Sequence, residues 1–194
     1  TSRAGVFNDK AKQDSVSISK TGFNFGIGFE AAQDYYHNVG YELSQSKTTE
    51  SSTTATSITG ENGEQILTSA ASYVVGQDRL DNRLDPSEGT LFELRQELAG
   101  IGGDAKFYKV TGRAAYYRPV NFNALFFGVK GRASQVVGLG EKVTQSQRFF
   151  LGGRDVRGFA LSGIGPRDTG SKAAVGGNTL VTGSVELVSH LGLS

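Results

Sequence analysis

No cysteine, methionine or tryptophan occurs in the 194 residues. Without thiols there can be no disulfide and no thiolate metal site. Proline occurs 3 times, too seldom for a collagenous or proline-rich disordered chain. Long hydrophobic runs are missing: nothing approaches the ~18 apolar residues of a membrane helix. No basic segment followed by an apolar one opens the chain in the manner of a signal peptide. Charge of one sign is lacking too. The 20 Lys and Arg face 19 Asp and Glu, and no basic stripe argues for nucleic acid.

What is present is glycine, 27 residues, about twice its usual ~7% share, and alternation. Period-2 patterning is the signature of a strand with two unlike faces. Phe23, Phe25, Ile27 and Phe29 alternate with Asn24, Gly26, Gly28 and Glu30. Val39, Tyr41 and Leu43 alternate with Gly40, Glu42 and Ser44. The same reading predicts strands over Ile66–Gly76, Thr90–Leu98, Phe107–Pro119, Asn123–Ala133 and Thr179–Ser189, with Ala4–Phe7 as the tail of an earlier one. Seven strands and a fragment result, each strand of about 9–13 residues, the length that crosses a membrane at a tilt. No segment carries a convincing helical period.

The polar faces hold Glu42, Glu93, Arg95, Glu97, Lys109, Arg113, Lys130, Arg132 and Glu186. An Arg or Lys facing lipid at the midplane costs roughly 2–4 kcal/mol, so these residues belong in a hydrated lumen where the signs pair. A soluble antiparallel sheet with one wet face is the competing reading. It leaves the Phe- and Tyr-rich faces without a second layer to cover them. Loop lengths also alternate. Glu30–Asp34 and Arg118–Phe122 are short, Lys47–Gln65 and Gly138–Asn178 are long, and both long loops fall on one side. That is the arrangement of an outer-membrane barrel. The expected fold class is therefore all-β, an antiparallel transmembrane β-barrel wall.

Site chemistry is sparse. His37 and His190 stand alone in strands, so neither a metal site nor a Ser-His-Asp triad is expected. Gly138-Leu139-Gly140 completes no dinucleotide fingerprint. Asp78, Asp81, Asp85 and Glu88 lack calcium-loop spacing. Glu93 and Glu97 sit roughly 13 Å apart by strand rise, beyond the ~5–10 Å of a glycosidase pair. Arg95 between them favours ion pairing in the lumen. No catalytic residue, cofactor or metal is expected.

One stretch is more specific. It reads Phe149-Phe150, Gly152-Gly153, Val156-Arg157-Gly158-Phe159 and Ile164-Gly165-Pro166-Arg167, with Arg154-Asp155 as spacer, in a long loop between strands. A glycine-rich loop of defined shape is seldom a passive connector, and if it folds back its arginines need acidic partners. This stretch resembles the signature of the BamA family of outer-membrane β-barrel assembly factors, whose relatives include the mitochondrial sorting-and-assembly pore and two-partner secretion transporters. Asp85–Gly89, Gln96–Asp104, Gly176–Asn178 and Gly183–Leu187 resemble the family too.

The resemblance implies a loop folded into the lumen, its motif arginine, Arg157, engaging an acidic residue of the wall, Glu186. It implies that residues 1–194 are a partial barrel domain of the bacterial surface antigen type, seven to eight strands of a sixteen-stranded barrel, with POTRA domains and terminal strands outside it. A closed eight-stranded barrel is the other geometry, but its filled interior leaves no room for the long loop. The function implied is folding and insertion of β-barrel proteins in the bacterial outer membrane, without covalent chemistry. Nascent β-barrel proteins, outer-membrane lipid, lipopolysaccharide and accessory lipoproteins would be the partners. A two-partner secretion pore is the alternative.

Overall fold

The computed structural model describes residues 1–13, 16–50, 63–120, 125–153 and 155–189. Eight strands run through it: β1 (Ser2–Gln13), β2 (Val16–Ala32), β3 (Tyr35–Glu50), β4 (Gln65–Asp78), β5 (Gly89–Ala99), β6 (Phe107–Pro119), β7 (Leu125–Gly138) and β8 (Thr179–Ser189). They form one antiparallel sheet in chain order, β1 through β8. β1 and β8 are its edges, so the sheet is open and the closed eight-stranded alternative is not formed.

Two of the expectations above need correction. Ala4–Phe7 is no tail but lies in the first half of a 12-residue strand, Ser2–Gln13. β2 and β3 run to 17 and 16 residues, well past the 9–13 expected of them. At their far ends the face that carries Phe23 and Leu43 turns polar: Thr21, Ser19 and Ser17 on β2 pair with Gln45, Lys47 and Thr49 on β3. The alternation stops at the row Phe23–Leu43, while the backbone ladder continues.

Register places every predicted polar residue on one face. Glu93 lies opposite Arg113, Glu97 opposite Lys109, Arg113 opposite Arg132, and Glu186 opposite Gly128. The other face carries Phe23, Phe25, Ile27, Phe29, Val39, Tyr41, Leu43, Phe92, Leu98 and Tyr116, all exposed. Polar atoms on this apolar face are tied across strands. Tyr41 and Ser69 hydroxyls lie 2.8 Å apart, and Tyr108 Oη donates to Gln96 Oε1 at 2.8 Å. Such pairing is what a hydrocarbon environment demands of a polar group.

Glycines on the polar face let rings lie flat. The Tyr117 ring passes 2.8 Å from where a Cβ of Gly128 would stand, and the Tyr36 ring covers Gly76 in the same way. Tyr36 is thereby aimed along the wall, and its Oη donates to Glu93 Oε2 at 2.9 Å.

The connections at one end of the strands include residues 33–34 and 79–88, and those at the other include the loop 139–178. Among its described residues that loop carries one short 3-10 turn, Gln145–Gln147. It returns over the polar face and builds the buried core there: Val143, with half-buried Phe149 packed alongside, lies against Ile66, Ala70, Ala99, Ala105, Phe107 and Val136.

Candidate functional site

The loop is held at its base. Gln147 is buried, and Lys109 Nζ of β6 donates to its Oε1 at 3.4 Å. The same ammonium stands 5.2 Å from the centre of the Phe149 ring, within cation–π range. Ser46 of β3 meets Ser146 at 3.5 Å. Phe149 also exchanges two backbone hydrogen bonds with Gly177, each 2.8 Å. None of Lys109, Val143 or Gln147 was a predicted anchor. The sequence signal for them is the alternation Val143, Gln145, Gln147, Phe149, which puts one side of the returning segment against the wall.

Two arginines of the loop gather backbone carbonyls. Arg148 donates to the carbonyls of Val143 (3.2 and 3.1 Å) and Val175 (3.3 Å). Arg167 donates to those of Lys172 (2.7 Å) and Ser162 (3.3 Å). A tightly turned loop leaves carbonyls without ladder partners, and a guanidinium with five donors can gather several of them. These arginines therefore clamp the loop to itself.

The motif forms a set of turns. Gly152 is buried at φ +135°, a conformation open to glycine and strained for other residues. A Cβ on Gly163 would stand 2.7 Å from the Ala160 carbonyl oxygen. Gly153 N–H donates to Phe159 O (3.1 Å) and Ile164 N–H to Leu151 O (3.0 Å). Gly165 and Pro166 lead into the bridge between Arg167 and Ala174. Asp168 is held below the usual carboxylate range by the Ser171 amide and hydroxyl, with help from the Gly170 amide.

The tip of the motif is presented outward. Arg157 and Gly158 are exposed, Phe159 is 52% exposed, and Val156 is half-buried. The structure does not bring Arg157 to Glu186. Glu186 pairs with Lys130, Nζ to Oε2 at 2.9 Å, because register sets these two one row apart on adjacent strands. Among the described residues Arg157 has no ion-pair partner. Arg154 and His190 lie outside the described residues.

Charge on the polar face is paired across strands. Glu93 meets Arg113 at 3.8 Å, and Lys20 meets Glu42 at 2.6 Å. Arg95 sits between Glu93 and Glu97 on the same strand face and lies opposite Val74 and Thr111. Residues on one strand face are roughly 7 Å apart, so a cross-strand neighbour is the nearer partner.

A wall bare and apolar on one face, charged on the other and capped by a returning loop matches one family across nearly its whole length. The model of the Omp85 superfamily domain covers residues 2–193. The chain belongs to the Omp85 superfamily. It is 33% identical over 193 residues to the outer membrane protein assembly factor BamA of Neorickettsia risticii, covering 96% of this chain and 26% of that protein. Against the sorting and assembly machinery component 50 homolog of Mus musculus it is 32% identical over 128 residues, covering 64% of this chain and 27% of the other. The crystal structure of BamA from Haemophilus ducreyi lacking POTRA domains 1–3 superposes with a TM-score of 0.82 at 21% identity, covering 100% of this chain and 42% of that one. That last likeness speaks for the fold. The chain thus spans about a quarter of the length of these curated relatives. As an Omp85 barrel chain it is integral to an outer membrane. Its apolar face is the lipid-facing wall, and its charged face is the lumen.

Proposed function

We propose that this chain is a wall segment of an outer-membrane protein assembly factor, a machine that folds and inserts β-barrel proteins. The observation that carries the reading is the signature loop itself, folded back and seated on the lumen wall, in a chain aligned over 96% of its length with a protein named for that task. The substrates are nascent β-barrel proteins. Outer-membrane lipid, lipopolysaccharide and accessory lipoproteins are the surroundings in which it works. The work is conformational, with strand pairing and burial as its driving forces and no bond made or broken in the substrate.

Within this reading the loop base is a fixed anchor and the Val156–Phe159 tip is the part offered to the rest of the lumen. We assign Arg157 a carboxylate of the inner wall in the complete barrel. Glu186 is this segment's own candidate, reached by displacing or sharing Lys130. A charge-assisted guanidinium–carboxylate contact is among the stronger single polar contacts a loop can make.

Reconstitution tests the function. The full-length protein in liposomes should accelerate insertion of an unfolded barrel substrate, followed by the shift in its heat-modified gel mobility. Insertion no faster than in empty liposomes would overturn the assembly reading. Export of one extended polypeptide by the same liposomes would replace it with a secretion pore.

A further inference from the structure

The lipid-facing wall of β2, β3 and β4 is apolar until its last two rows before the short connections, where it changes character. His37 lies in the row Phe29–His37–Val75. Its ring stacks on Phe29 with centroids 5.3 Å apart and planes within 10°. Its Nδ1 is 2.6 Å from the Tyr73 hydroxyl. Ring position and one nitrogen are thus fixed by neighbours, and Nε2 has no protein partner among the described residues.

The next row pairs Tyr35 with Gln77. With its amide oxygen turned toward them, Gln77 accepts from Tyr35 Oη at 2.9 Å and from Arg79 Nε and Nη2 at 3.1 Å each. Arg79 Nε also lies 3.2 Å from Asp34 Oδ2. Arg79 Nη1 has no acceptor among the described residues. Asp34 is held in the turn at φ +66°, with its carbonyl accepting from Asp78 N–H at 2.9 Å. A cation, an anion and an imidazole nitrogen therefore stand on the membrane-facing side at the rim. Directly beyond them the exposed side chains of Phe29, Ile27, Phe25 and Val39 begin.

We propose that this rim is a headgroup site for a zwitterionic phospholipid. The phosphate lies against Arg79 and His37 Nε2, the ammonium against Asp34, and an acyl chain along Phe29 and Ile27. The backbone of Arg79 stands two rows beyond His37, roughly 14 Å along the strand, but its guanidinium reaches back to the Gln77 amide of the intervening row, which leaves about one row for one phosphate to span. Charge complementarity selects the headgroup: a lone anion would meet Arg79 already shared with Asp34, whereas a zwitterion satisfies both. The apolar band selects a lipid over a free phosphate. The site lies on the outer wall, apart from the lumen and the loop, so its failure would leave the assembly reading untouched.

The test is native mass spectrometry of the full-length protein in detergent, resolving the first bound lipid. The probes are dioleoyl phosphatidylethanolamine, dioleoyl phosphatidylglycerol, dioleoylglycerol and inorganic phosphate. The ethanolamine lipid is expected to bind about tenfold more tightly than the diacylglycerol, as a charge-assisted contact permits. Arg79→Gln and His37→Phe should each weaken it several-fold, and His37→Phe does so while keeping the ring stack. Asp34→Asn should abolish the preference for ethanolamine over glycerol headgroup. Heat-modified mobility verifies that each variant folds. Unchanged affinity in the Arg79→Gln, His37→Phe double variant would overturn the site. Equal affinity for both phospholipids in the wild type would overturn the zwitterion match, and displacement by equimolar inorganic phosphate would overturn the lipid.

Discussion

Replacing Phe149 by alanine should release the loop from the wall while leaving the wall intact. A fully buried Phe→Ala change costs about 3–5 kcal/mol. Phe149 is half-buried against the cluster of Ile66, Ala70, Ala99, Phe107, Val136 and Val143, so about half of that, ~2 kcal/mol, applies. Loss of the Lys109 ammonium over its ring adds about 0.5–1 kcal/mol. The sum, about 2–3 kcal/mol, raises the undocked fraction roughly thirty- to a hundredfold, at ~1.4 kcal/mol per factor of ten. Hydrogen exchange in the full barrel reads this directly. The amides of Phe149, Gly177 and Ile164 all donate to loop carbonyls and should exchange faster by that factor, while amides of β6 and β7 keep their rates. Phe159→Ala is the control, because Phe159 is 52% exposed and should change protection by a small factor. If Phe159→Ala loosened the loop as much as Phe149→Ala, the anchor would lie at the tip and the argument from the base would be refuted.

Gly152→Ala should destabilise the motif turns more than Gly165→Ala. Both residues have positive φ, but only Gly152 is buried with backbone packed against it, and the same exchange measurement ranks them. Lys130→Met should cost at most about 1 kcal/mol, since both members of its pair with Glu186 are half exposed and such pairs are weak. If Arg157 engages Glu186 in the complete barrel, Glu186→Gln will cost more than Lys130→Met in thermal melts and the excess will vanish in an Arg157→Ala background. Equal small losses would leave Lys130 as the partner of Glu186. In the 79–88 connection, Ser87 Oγ and the amides of Glu88 and Ser87 hold Asp81 down at about 2. A depressed carboxylate contributes stability above its unfolded value near ~3.9 and loses it as pH falls through the folded value. Protection of the Ser87 and Glu88 amides should therefore persist at pH 4 and fade toward pH 2. Ser87→Ala should move the fading upward, and fading at pH 4 in the wild type would contradict the hydrogen-bonded turn.

Strands with a membrane on one side and water on the other were legible because the two solvents impose opposite residues on alternate positions. Phe107–Pro119 and Thr179–Ser189 came out at their observed bounds for that reason. β1 and the upper parts of β2 and β3 did not, because Asp9 and Lys10, or Ser17, Ser19 and Thr21, stand where no lipid requires an apolar partner face. There the ladder is held by backbone hydrogen bonds, which leave no pattern in side chains. The loop motif was legible as a motif. Its anchor was not: that Lys109 meets Gln147 and Phe149 depends on how far residues 139–149 travel back over the sheet, and no local periodicity encodes that distance. The polar-face charges were assigned to the right side, while their partners required the register.

The unequal strand lengths make the wall a parapet rather than a cylinder of even height. From Phe23 to Val16 the β2–β3 ribbon continues 7 residues past the last apolar row, about 24 Å of strand at ~3.4 Å per residue. Tilted at roughly 45°, it stands about 17 Å clear of the hydrocarbon. Its inner side presents Ser44, Ser46 and Thr48, all buried, and its outer side Lys47 and Thr49. On the side of the long loops the barrel rim therefore rises into water as a hydroxyl-rich ridge, with β1 paired alongside β2 as far as the row Gln13–Val16. An antibody or protease arriving from that side would meet the ridge before it met the membrane.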